Sequence, residues 1–138
     1  MEACTQQIDV CCALIIKDDR ILITQRSEKM KLPLKWEFPG GKLENNEKAE
    51  TAIIREIKEE LLMNIEVLKP LKPTEHDYGD FKIKLIPFIC EAIEGEPRLI
   101  EHKQFNWEHR CQYGRECIIG CESLSKFMLS LRYKTTRH

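Results

Sequence analysis

The chain has 138 residues, 42% apolar and 33% charged, which is enough for one hydrophobic core. Its 22 Lys and Arg nearly balance 23 Asp and Glu. The net charge of −1 therefore excludes the broad basic excess of a protein that coats nucleic acid polymers, but not a small anionic ligand in one pocket.

"MEACTQQIDV" lacks a basic segment followed by an apolar one, and no apolar run is long enough for a bilayer. A cytoplasmic chain without membrane contact is expected, its seven cysteines reduced thiols. "IDVCCALIIKDDRILITQR" (8–26) holds two apolar runs split by "KDDR" and predicts a β-hairpin. Its first run is apolar nearly throughout, as in a strand buried on both faces. "SEKMKLPLKW" (27–36) reads as a basic loop. "EFPGGKLENN" (37–46) is expected to turn sharply at Pro39, Gly40 and Gly41, and Asn46 to cap the next helix.

"EKAETAIIREIKEELLM" (47–63) is the strongest helical segment. Residues 65–72 form a short strand limited by Pro70 and Pro73, and "EHDYGD" (75–80) a turn. "DFKIKLIPFICEAI" (80–93) alternates as a strand. Residues 94–107 make a loop that enters a short strand near Phe105–Trp107, and "CESLSKFMLSLRY" (121–133) reads as a C-terminal helix. The order implies one α/β domain over 1–138 with a mixed sheet.

The long helix breaks its own pattern. At about 100° per residue, Ala49, Ile53, Ile57 and Leu61 form an apolar stripe. Lys48, Thr51, Arg55 and Lys58 fall opposite and read as solvated. Glu60 lands near the middle of the apolar stripe, with Glu56 beside it and Glu59 just beyond. Glu56 and Glu60 stand four apart, where like charges repel. An unpaired buried carboxylate costs several kcal/mol or becomes protonated. Arg55 reaches Glu59, but one Arg cannot neutralise three acids. A hard divalent cation such as Mg²⁺ would. "FPGGK", just before this helix, allows close backbone approach and could add a main-chain carbonyl to the oxygen set. Arg26, Lys35 and Lys42 lie nearby in sequence and could meet phosphates.

The stretch "GKLENNEKAETAIIREIKEELLM" resembles the signature of the Nudix hydrolases: Gly, five residues, Glu, seven residues, then Arg-Glu-apolar-x-Glu-Glu-x-Gly-apolar. Gly41, Glu47, Arg55, Glu56, Ile57, Glu59, Glu60 and Met63 match; Leu62 stands where the family has Gly. "ILITQR" and "WEFPGGK" extend the resemblance to the MutT-like branch over about residues 8–107, leaving 108–138 poorly matched.

The resemblance implies an α/β/α sandwich and a Mg²⁺- or Mn²⁺-dependent attack of water on a nucleoside-diphosphate linkage. By position, Glu56, Glu59 and Glu60 are the metal carboxylates, with the Gly40 carbonyl as a further ligand. Arg55 orients the acids and Glu47 contributes more weakly. Glu101, six residues before Trp107, corresponds to an auxiliary metal ligand or base. Arg26 aligns with a phosphate-contacting position; Lys42, from its place next to the glycine pair and not from the resemblance, is a second candidate cation for the substrate. The implied substrate is a small nucleotide, either an oxidised purine triphosphate such as 8-oxo-dGTP or a pyrimidine such as CTP. The products are monophosphate and pyrophosphate, and the enzyme is a monomer or homodimer. The alternatives are a nucleotide sensor on the same fold, or a hydrolase of nucleotide-sugars or dinucleotides.

Leu62 in a left-handed conformation would cost roughly 1 kcal/mol, and Asn64 is expected to take over that conformation one step later. Cys111, Cys117 and Cys121, with His102 and His109 near, allow a zinc site, but their spacing fits no tight knuckle. Free thiols are the simpler reading.

Overall fold

The computed structural model describes residues 6–29, 33–34, 36–77, 79 and 81–109. Its spine is a parallel pair, β1 (Gln6–Lys17) and β7 (Phe81–Glu94), in register from Gln6↔Phe81 to Ile16↔Glu91. Shorter strands line both outer edges. β2 (Arg20–Gln25) and β4 (Gly40–Lys42) pair antiparallel with β1, and β5 (Asn64–Pro70) and β6 (Thr74–Asp77) pair antiparallel with β7. β3 (Trp36–Glu37) and β8 (Gln104–His109) both pair with β2, completing an eight-stranded mixed sheet.

The hairpin closes as "KDDR" dictates. Asp18 and Asp19 both adopt positive φ, 51° and 64°, the mirror-image turn that matches strand twist. β1 then serves two cores at once. Val10, Cys12 and Leu14 enter one cluster, whereas Cys11, Ala13 and Ile15 enter the other. This two-sided burial explains the unbroken apolar run.

One helix, α1 (Ala49–Leu61), covers the second cluster with Ala52, Ile53, Ile57 and Leu61. No helix among the described residues is long and apolar enough to cross a membrane. The helix predicted over 121–133, and with it the second helical layer, lies outside the described residues, as do Cys111, Cys117 and Cys121.

Four local expectations need correction. The start of "EHDYGD" is strand, not turn: Glu75, His76 and Asp77 belong to β6, with Glu75 opposite Lys84 and Asp77 opposite Lys82, a favourable charge register. Beyond β6, the Gly79 N–H donates to Asp77 Oδ1 at 2.8 Å. "EFPGGK" is largely extended rather than sharply turned: Gly40 and Gly41 pair with Cys12 and Cys11 on β1. Asn46 does not cap α1. It holds φ 63° in the preceding turn, and Lys48 occupies the cap position without a side-chain bond.

The fourth concerns the helix end. Leu62 itself takes the left-handed conformation, φ 55° and ψ 35°, and its N–H bonds to Lys58 O; Asn64 is already in β5. The side chain is half-exposed, so little packing holds it there. Leu62→Gly should therefore raise stability by about 0.5–1 kcal/mol, read as a shift in the urea midpoint at unchanged slope. A lower midpoint would show that Leu62 packs more usefully than its exposure suggests.

Candidate active site

Pairing of β4 with β1 brings the glycine pair beneath α1. A Cβ on Gly40 would collide with the Cys11 carbonyl, and one on Gly41 would lie 2.5 Å from the Glu56 carboxylate. Gly40 therefore needs glycine, because the obstacle is backbone, whereas at Gly41 a side chain would displace the flexible end of Glu56; Gly41 thus forms a cradle for that carboxylate.

Arg55 is the hub of the acids above it. Its side chain is only 23% exposed, so it belongs to the site and not to the solvated face assigned from the helical wheel. Nε and Nη2 donate to Glu47 Oε2 and Oε1 at 2.7 and 3.0 Å, a bidentate clamp. Nη1 donates to Glu59 Oε1 at 3.2 Å and lies 3.3 Å from Glu56 Oε2. Nη2 also reaches the Lys42 carbonyl at 3.3 Å, and Glu44 stands 3.6 Å from Nη1. Glu47 in turn accepts the Glu44 N–H at 2.9 Å, which rigidifies the approach to the helix.

Glu60 is partly buried, its Oε1 oxygen fully so, as the wheel geometry anticipated; Glu59 is more open, 58% exposed at its side chain. One guanidinium thus faces Glu44, Glu47, Glu56 and Glu59, with Glu60 one turn beyond Glu56. The site is net negative and composed of hard oxygens, which fits a divalent cation by donor chemistry. Among the described residues no three His, Cys, Asp or Glu side chains are gathered as a ready cage. Glu56 and Glu59 lean on Arg55 instead.

The other predicted residues are placed differently. Lys42 is exposed beside the cluster. Arg26 turns inward, 9% exposed, with Nη1 3.1 Å from Glu37 Oε1. Glu37 Oε2 meets His102 Nε2 at 3.0 Å, so Arg26, Glu37 and His102 form a buried polar chain. "WEFPGGK" contains Glu37, yet sequence reasoning gave that acid no role and weighed His102 only for zinc. Glu101 is exposed and lines a cavity of about 460 Å³ with Ser27, Glu28, Lys29 and Ile100. Among the described residues no hydrogen bond or ion pair joins it to the acids on α1. Its loop is anchored on both sides: the Arg98 N–H donates to Leu61 O at 2.8 Å, and the Lys103 N–H to Gln25 O at 2.9 Å. Buried Cys90 has its thiol pushed up to about 12 by desolvation, then by Cys11 and Glu50, which makes it inert packing.

Comparison with known proteins gives the family of the chain. The family described as NUDIX domain matches residues 11–114. The 8-oxo-dGTP diphosphatase of Proteus vulgaris is 40% identical over 80 residues, which covers 58% of this chain and 71% of that protein. The CTP pyrophosphohydrolase of Escherichia coli K12 is 30% identical over 111 residues, or 78% of this chain and 82% of that one. A solution structure of a MutT protein from methicillin-resistant Staphylococcus aureus superposes with TM-score 0.66 at 37% identity, covering 92% of this chain and 99% of the other.

The Glu47 clamp has a measurable signature. The Arg55 guanidinium, followed by the Glu44 amide, holds the Glu47 carboxyl below its ordinary value of 4.5. A carboxyl lowered on folding stabilises fully above its unfolded value, and that contribution is lost as pH falls through the folded one. Thermal melts across a pH series should therefore drop below 4.5 more steeply for the native chain than for Glu47→Gln. Parallel curves would refute the clamp.

Proposed function

The chain belongs to the Nudix family, and from that premise we propose that it hydrolyses a nucleoside triphosphate to monophosphate and pyrophosphate with Mg²⁺. The observation that carries this reading is the acid cluster of α1 gathered around Arg55 over the Gly41 cradle. The names of its relatives support two substrate classes, an oxidised purine such as 8-oxo-dGTP and a pyrimidine such as CTP.

The carboxylates of Glu56, Glu59 and Glu60, with the Gly40 carbonyl, would hold the divalent cation. When bound, it supplies charge screening of the phosphate oxygens and acidification of water. The chain's own groups do the rest. Arg55, fixed by Glu47, restrains the orientations of Glu56 and Glu59. Exposed Lys42 offers an ammonium to the phosphates. Glu101 takes the proton of the attacking water from its loop. Arg26, committed to Glu37, acts from beneath the site rather than on its open surface.

A panel of nucleoside triphosphates with Mg²⁺ should release monophosphate and pyrophosphate from at least one of the two classes. Tight nucleotide binding with no turnover across the panel would instead identify a sensor. Glu59→Gln and Glu60→Gln should each reduce turnover by about 100-fold or more, the scale of losing a charge-stabilising group, while melting cooperatively. Gly41→Ala should do the same by pushing Glu56 aside, and wild-type rates in all three would sink the assignment.

A further inference from the structure

We propose that His102 is a positioning residue for Glu101, held to the sheet through the buried carboxylate of Glu37 and its partner Arg26. The inference rests on the reading of Glu101 as the base.

Three chargeable side chains are buried together: Arg26 is 9% exposed, Glu37 1% and His102 6%. Burying charge is costly unless every member is paired, and replacing such a group with apolar residues is often neutral or stabilising. Packing alone therefore gives little reason for this cluster, whereas its location does. Glu37 lies on β3 and His102 just before β8, and these strands flank opposite edges of β2. Arg26 follows the last residue of β2. The Glu37 carboxylate spans the end of that strand, with Oε1 to Arg26 at 3.1 Å and Oε2 to His102 at 3.0 Å.

That single carboxylate ties together two pieces of the site. Glu37 is three residues before Gly40, and His102 adjoins Glu101. A carboxylate accepts only, so Nε2 of His102 carries the proton and the ring orientation is fixed. Nδ1 is buried with no hydrogen-bond partner among the described residues, so the Nε2 bond is the ring's one anchor there. Glu101, exposed next to this anchored residue, projects from a fixed backbone, the arrangement a base needs.

The test compares His102→Met, which keeps volume but has no donor, with His102→Gln, whose amide N–H can reach Glu37. The Met variant should lose about 10- to 100-fold in kcat with KM within about two-fold, and the Gln variant should recover most of it. Should the Met variant not fold, His102→Asn, with a shorter amide, serves in its place. In a Glu101→Gln background the same substitution should cost no more than about two-fold further, since both act on one step. Amide exchange at 101–103 should accelerate in the Met variant while that of α1 does not.

If Glu101→Gln turns over at the wild-type rate, Glu101 is not the base, and the proposal falls with that reading. If Glu101→Gln is slow but His102→Met costs the same in both backgrounds, or nothing in either, the positioning role alone is overturned. Unchanged exchange at 101–103 overturns it whatever the activity.

Discussion

Everything at the candidate site depends on one guanidinium held among carboxylates. Left alone, the acids of α1 would repel one another by about 0.2–0.5 kcal/mol per facing pair. Arg55 gathers Glu56 and Glu59, while its bidentate bond to Glu47 fixes the guanidinium from outside the helix. The helix tolerates the remaining repulsion because its other face is firmly packed. Ile53, Ile57 and Leu61 are fully buried, and each contributes about 1.5–3 kcal/mol. Packing outweighs repulsion several-fold, so the fold can hold a net-negative cluster in place instead of letting it splay.

The sheet supplies the second constraint, which is proximity. Where β4 pairs with β1 the backbone leaves no room for a side chain at Gly40, and at Gly41 the space is filled by the Glu56 carboxylate. Immediately upstream the same segment carries Glu37 inward to Arg26 and His102. Residues 36–42 thus meet the acidic helix on one side and the buried polar chain on the other. A displacement there would reach both at once.

Much of this was legible in the sequence. Alternation and apolar runs indicated the hairpin, α1, β5, β7 and the start of β8. The wheel placed Glu60 on the inner side, and the i,i+4 spacing paired Arg55 with Glu59. The misreadings share a cause: each residue's role is set by a partner outside its own element. Arg55 falls on the polar face of an isolated helix and is drawn in by Glu47, which precedes the helix. Thr74–Asp77 becomes strand by pairing with β7, with Glu75 and Asp77 opposite its lysines. Gly40 and Gly41 look like a turn until β1 lies alongside. Glu37 and His102 are 65 residues apart, and no local pattern joins them. Leu62 shows the converse, a strained conformation kept without the residue that would relieve it.

The two anchors of the late loop have a consequence for reach. Arg98 is fixed to the end of α1 and Lys103 to the end of β2, so only four residues hang between them. A chain covers at most about 3.3–3.6 Å per residue when fully extended, which makes this a short tether. Glu101 sits next to its far end, just before His102. The arc open to that carboxylate is set less by flexibility than by where two unrelated elements happen to stop, so lengthening the tether by one residue would alter the geometry of the site without touching any group in it.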